Sequence, residues 1–466
     1  MSQILTDYYR VPPESLPAFS FGGSDSGDTG FFRFGDGNVC FGRCEVGVTA
    51  HVADSGKYDA LKGVRRDRRS LHVPCDINEV VENLRLERYR PRSLGRFQSL
   101  AVSVPVREFY YAIRKFLPFR IRRQLQRFYF RGWNELPFPA WPVDFTVDAI
   151  HEELLRTVLY TSGTHKIPFI WFWPDGASSS LIVTHDVEGE AGRDFTPKLM
   201  ETDRRYGIKA SYQVVPELRY EVSDEYLYEI RNGGCEVNVH DLNHDGHLYK
   251  DRVEFARRVT KINQYARRYK AAGFRAGAMY RKQEWYDAFE FSYDMSVPNV
   301  GHLEPFRGGC CTVMPHFIGG IVELPLTTIE DYSLFHILNN YSIDLWKHQL
   351  ALIRARNGLM SVLVHPDYLL EARAWEVYEL LLEHLSEIVR RENVWAPLPG
   401  DVDRWWRARS ESSLVSRGDD WEIVGPAKDR ARVAYAFLRD GELVYELADQ
   451  AAQQTGLPIG PTCGSA

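Results

Sequence analysis

The stretch "LIVTHDVEGE" (181–190) is an apolar run that stops at His185, Asp186 and Glu188. A strand carrying Leu181, Ile182 and Val183 through a core presents charge only where it leaves the core, so these side chains belong at its C-terminal mouth. In parallel α/β folds that mouth is where chemistry sits, although acids there can also simply cap the following helix. "CEVNVHDLNHDGH" (235–247) repeats the pattern: His240 ends an apolar run, His244 follows four residues on and His247 three beyond that. Two histidines at a four-residue spacing can face one side of a turn and reach one divalent cation. With a carboxylate they make an open metal site that leaves positions for water and substrate. "LMSVLVHPDY" ends in His365 with Asp367 nearby, and "GFRAGAMYR" puts Arg275 at a fourth strand end.

Positioning these groups requires a repeated scaffold. From about 150 to 409, short apolar runs ("LIVTHD", "KASYQVV", "CEVNVH", "GFRAG", "GIVELPL", "LMSVLVH") alternate with amphipathic stretches such as "DRVEFARRVTKINQYARRYKAAG" and "EARAWEVYELLLEHLSEIVRRE". Such alternation implies an α/β fold with a parallel sheet, open or closed into a barrel. Residues 1–150 are irregular, with the glycine and aspartate punctuation of tight turns in "FGGSDSGDTGFFRFGDGN", and form an N-terminal domain. Residues 410–466 read as a small β appendage ("DGELVY") and a mobile tail.

The 466 residues are 44% hydrophobic and 26% charged, with net charge −6, which gives no reason to expect a nucleic-acid partner. No apolar stretch reaches the roughly 18 residues that span a bilayer, and no secretory signal opens the chain. Seven irregularly spaced cysteines argue against a disulfide framework and fit a cytoplasmic setting, with Cys310 and Cys311 read as packed thiols. Arg107 to Trp133 carries eight basic side chains and one acid among many aromatics. It reads either as a segment packed on the barrel with its arginines reaching water, or as a peripheral contact with the inner face of a membrane.

"THDVE", "HDLNH", "FRAGAMYR" and "LVHPD", in this order over roughly residues 165–400, resemble the motifs of the polysaccharide deacetylases, carbohydrate esterase family 4. The resemblance implies a distorted (β/α) barrel with one divalent metal, most often zinc, that hydrolyses N-acetyl or related acyl groups on sugars; a membrane contact by the basic segment would extend the expected substrates to a lipid-linked glycan. It implies His240 and His244 as metal ligands, Asp186 as general base, His365 as general acid and Arg275 as the holder of the base. A backbone N–H in "AGAMY" is implied as an oxyanion donor, with Tyr280 near the substrate. The usual first motif has adjacent aspartates, whereas here Val187 separates Asp186 from Glu188. If the chain stays extended, these acids share one face: the shorter Asp186 remains a base and the longer Glu188 reaches the metal. Glu323, Asp331 and Asp367 all remain open as partners of His365.

A cation so held lowers the pKa of water toward roughly 7. Asp186 then takes the proton as water attacks an amide carbonyl, and an imidazolium at His365 protonates the leaving nitrogen. Trp171, Phe172 and Trp173 in "IPFIWFWPDG" offer faces for a sugar, Trp173 foremost, or else core packing. His185 reads as a hydrogen-bonded structural residue and His247 as a loop residue. A hydrolase of a non-sugar amide and a non-catalytic binding protein retaining the barrel are the alternative functions.

Overall fold

The strand Ser179–Val187 is buried along its whole length, as an uninterrupted apolar run requires. It belongs to a computed structural model that describes residues 3–23, 29–45, 50, 53, 58–67, 70–90, 119–418 and 420–448, with backbone alone for 3 and 119–123. Seven strands run parallel in the spatial order Leu359–Leu363, Ser179–Val187, Ala210–Val214, Glu236–His240, Gly273–Arg275, Tyr293–Asp294 and Ile321–Glu323.

The ring closes through an irregular seam. Beyond Glu323 the chain bridges Pro298 at Leu326, and Thr327 and Thr328 then meet the first strand of that order. Thr327 Oγ1 donates to Leu359 O at 2.8 Å and accepts the Ser361 N–H at 2.8 Å, while Thr328 Oγ1 donates to Ser361 O at 2.8 Å. Threonine hydroxyls thus replace part of a backbone ladder, and the result is a distorted (β/α) barrel. Helices Glu190–Arg205, Asp224–Asn232, Arg252–Tyr269, Asp344–Arg354 and Ala372–Arg391 cover it. Ser223 and Asp251 cap two of them by accepting the N–H of Tyr226 and Glu254.

A second core joins both ends of the chain. Strand Lys166–Ile170 pairs with Val433–Arg439 of a three-stranded C-terminal sheet and takes no part in the barrel. Helix Thr146–Ser162 packs there with helix Gln3–Tyr9 and helix Ile77–Arg85. Tyr9 and Tyr445 share a hydrogen bond of 2.6 Å. This corrects the expectation for Trp173: its side chain is 0% exposed in this core, and its indole N–H donates to Asn357 O at 2.6 Å. Its ring packs against Trp395 and Trp406, while Trp171 and Phe172 pack against Tyr445 of the C-terminal sheet.

Of the basic aromatic segment, residues 107–118 lie outside the described residues, as does the tail from 449. Its helix Phe119–Tyr129 packs on the barrel, where Arg127 Nε donates to His336 O at 3.1 Å. No helix among the described residues is long and apolar enough to cross a membrane. Cys310 and Cys311 are fully buried thiols.

Candidate metal centre

The four strand ends converge. His240 and Arg275 are the last residues of neighbouring strands and lie opposite each other in register. Asp186 and Glu188 stand at the end of strand Ser179–Val187, separated from the His240 strand by Ala210–Val214, with Val187 between them turned into the core. His365 stands two residues beyond Leu363.

Glu188, His240 and His244 each bring one ligand atom to within 4.8 Å of the others. His240 Nδ1–H donates to the Arg275 carbonyl at 3.1 Å, which fixes the tautomer and leaves Nε2 as a lone pair. The Nε2 atoms of His240 and His244 are both buried without a hydrogen-bond partner. Glu188 Oε1 lies 2.9 Å from His244 Nε2, a closeness that suits atoms gathered round one cation. Burial pushes His240 down to about 4, so the neutral, ligating imidazole is the form present. Burial opposes charge on Glu188, but His244, His365 and His240 together outweigh it and hold the carboxyl well below its ordinary range. Two orphaned imidazole nitrogens and an ionised carboxylate fit a divalent metal.

His244 sits at φ +53 and is steadied by Arg219, whose Nη2 donates to its carbonyl at 2.8 Å. Across from it the chain has Gly277, where an added Cβ would lie 2.8 Å from Asp241 Oδ2 and 2.9 Å from His244 Cδ2. Glycine is therefore what lets the "AGAMY" turn pass this close to the ligand. Ala278 and Met279 follow with φ of +53 and +51, a strained pair in the stretch expected to offer an oxyanion donor.

Asp186 is fully buried and receives Arg275 Nη1 at 2.9 Å, with its second oxygen 3.6 Å from His240 Nε2. Burial would raise its pKa, but Arg275, then His240 and His365, outweigh burial and keep it ionised. Arg275 is itself held by Met295 O at 3.0 Å and Thr184 Oγ1 at 2.9 Å.

The three candidates for the partner of His365 separate cleanly. Asp331 takes the role, with Oδ1 2.6 Å from His365 Nδ1. Glu323 instead accepts the Val297 N–H at 3.0 Å. Asp367 accepts the N–H groups of Glu188, Gly189 and Gly192 at 3.0, 3.3 and 3.2 Å, and so orders the loop that bears Glu188. His365 Nε2 lies 3.7 Å from Glu188 Oε1, facing the centre. Burial works against its charge, yet Asp331, Glu188 and Glu330 together raise it well above the ordinary histidine value.

Tyr280 is almost buried at the rim, edge-on to Phe306 at 6.4 Å. His185 turns away from the centre, with Nε2 3.0 Å from Asp203 and Nδ1 3.0 Å from Val364 O, the structural role expected of it. Half-exposed His247 stays in its loop beside Asp245. Sequence reasoning passed over Arg219 and Tyr368, whose hydroxyl donates to Glu188 Oε2 at 3.4 Å. The adjacency of Tyr368 to "HPD" was the available signal.

No protein-family model matches the chain, and no curated protein matches it. Solved structures do. A structure provisionally named a polysaccharide deacetylase, from Mycobacterium smegmatis, is 17% identical, with 54% of this chain and 98% of that one covered and a TM-score of 0.42. A probable polysaccharide deacetylase from Pseudomonas aeruginosa PAO1 is 13% identical over 50% and 93%, at 0.40. Puue allantoinase is 12% identical over 51% and 92%, at 0.43.

Proposed function

We propose that this protein is a metal-dependent deacetylase that removes N-acetyl groups from a saccharide or glycoconjugate, with Glu188, His240 and His244 holding the ion. The observation that carries the reading is the pair of buried, unpartnered Nε2 atoms facing an ionised Glu188, with a held carboxylate and a held imidazole beside them. The donor set suits zinc, and a divalent ion in it supplies a Lewis acid that polarises a carbonyl and lowers the pKa of water.

The chain's own groups divide the remaining work. Asp186, fixed by Arg275, accepts the proton of the attacking water. Asp331 accepts the Nδ1–H of His365 and, with Glu188 and Glu330, favours the imidazolium, whose Nε2–H is delivered to the departing nitrogen, which leaves poorly as an anion. The Gly277–Met279 turn lies against His244 and is placed to offer backbone N–H groups to a developing oxyanion.

The test is acetate release from N-acetylated saccharides, free and lipid-linked, with and without chelator and with metal restored. Release that stops with chelator and returns with zinc supports the reading. Release from small acyl amides alone would replace the saccharide with a non-sugar amide, and no release from any substrate by the metal-loaded protein would leave the binding-protein alternative.

A further inference from the structure

We propose that Cys44 and Cys75 are a disulfide-forming pair, a redox modification site in the N-terminal part of the chain and apart from the candidate centre. The two residues stand directly opposite each other in an isolated antiparallel bridge. The Glu45 N–H donates to the Pro74 carbonyl at 2.7 Å, a bond between the residues that flank the pair, so Cys44 and Cys75 are a cross-strand pair of the non-hydrogen-bonded kind. Opposed residues of that kind point to one face with Cα atoms about 4.5 Å apart, inside the roughly 4.4–6.8 Å that a disulfide spans. Both side chains are buried in the second core, and both are thiols in this structure.

Cys40 is the rival partner, buried in the same core, but its register partner is Phe32 of the neighbouring strand. The three thiols are no metal site: among the described residues only Glu188, His240 and His244 gather closely enough to share an ion. Burial, then Cys40 and Cys44, hold the Cys75 thiol protonated well above its ordinary range, so oxidation waits on local loosening of the fold and the pair is a slow lock.

The lock sits at the root of a helix that braces the barrel. Asp76, next to Cys75, caps helix Ile77–Arg85, and Arg43, next to Cys44, already meets Glu79 in its first turn at 2.8 Å. Beyond the far end of that helix, Glu87 receives Arg281 Nε and the Gly309 N–H, each at 2.6 Å, while Arg85 O accepts Gln283 Nε2 at 3.0 Å. A Cys44–Cys75 bond therefore closes a loop of about 30 residues in the unfolded chain without moving the folded one. With hydrogen peroxide as oxidant, one thiolate sulfur takes an oxygen to become a sulfenic acid and hydroxide leaves. The second sulfur then displaces the sulfenic hydroxyl, and the two thiol protons end in water. Two thiols and one peroxide give one disulfide and two waters, the two electrons passing from sulfur to peroxide oxygen.

The pair does not depend on the deacetylase reading, and it is tested without substrate. The full chain is treated with hydrogen peroxide, alone and in urea below the unfolding midpoint, then capped with iodoacetamide in denaturant and digested with trypsin. Cleavage leaves Cys40, Cys44 and Cys75 on separate peptides, 34–43, 44–57 and 70–85, so mass spectrometry tells the three pairings apart. Peptide 44–57 joined to 70–85, two hydrogens lighter than their sum and released by reductant, is the expected product. The oxidised chain should also be cut by thermolysin within residues 1–90 at least about tenfold more slowly than the reduced one, with its metal content unchanged. Cys40→Ala should keep both effects and Cys44→Ala should lose both, while the wild-type peptide map stands whether or not either variant folds. A cross-link through Cys40, thiols at 44 and 75 that remain fully capped in both treatments, or an oxidised chain cut as fast as the reduced one would each overturn the proposal.

Discussion

Asp331 grips His365 twice: Oδ1 lies 2.6 Å from the ring Nδ1, and Oδ2 accepts the backbone N–H of the same residue at 2.8 Å. One carboxylate therefore sets both the ring orientation and its protonated nitrogen. His365→Ala is expected to keep metal and to lose about 10²- to 10⁴-fold in kcat, the usual range for a general acid. Asp331→Asn should lose less and shift the alkaline limb of the pH profile downward, because the neutral amide no longer supports the imidazolium that acts as general acid. Full activity in His365→Ala would remove it from the chemistry.

Gly277→Ala tests the closeness of the "AGAMY" turn to the ligand. The new methyl meets Asp241 Oδ2 and His244 Cδ2 inside contact distance, so the ring must move. Zinc affinity should fall by about 10- to 100-fold, as for disrupted outer partners of metal ligands. Thermal unfolding should change little. Unaltered affinity by calorimetry would show that the ring has room to spare.

Asp367 acts through backbone. Its carboxylate gathers three N–H groups of the Glu188–Gly192 loop, and Asp367→Ala should cost about 2 kcal/mol in denaturant unfolding and weaken metal binding as Glu188 loosens. A variant with wild-type stability and metal affinity would leave the loop ordered by other contacts.

The second core carries a pH signature. Burial pushes His151 down to about 3, below the ordinary 6.5, so its contribution is complete above 6.5 and is lost as pH falls toward 3. Asp148, one turn earlier, is pushed up by burial to about 6, and its contribution has the opposite sign, present at low pH and lost on rising through 6. His151→Gln should therefore flatten the fall of melting temperature between about pH 6.5 and 4 relative to wild type. An unchanged slope would show that His151 does not govern acid sensitivity.

The centre was legible wherever an apolar run ended in a polar side chain, which is why Asp186, His240, Arg275 and His365 could be singled out one strand at a time. Glu188 followed from the two-residue period of an extended chain. Asp331 could not be chosen over Glu323 and Asp367, because its pairing with His365 crosses a loop whose path no local pattern encodes. Strand Tyr293–Asp294 has two residues, too few for any periodicity, and the barrel seam runs through threonine hydroxyls that look like loop residues. Trp173 misled for a related reason: the apolar run before it reads as a neighbour of the acid strand, yet it pairs with residues 433–437 near the other end of the chain.

The division of labour between Asp186 and Glu188 is the central claim, and zinc titration by calorimetry into chelator-stripped protein tests it most directly. Wild type and Asp186→Asn are expected to bind one ion per chain with similar affinity, while Glu188→Gln binds it far more weakly. Loss of binding in Asp186→Asn, together with undiminished binding in Glu188→Gln, would contradict the assignment and make Asp186 the ligand.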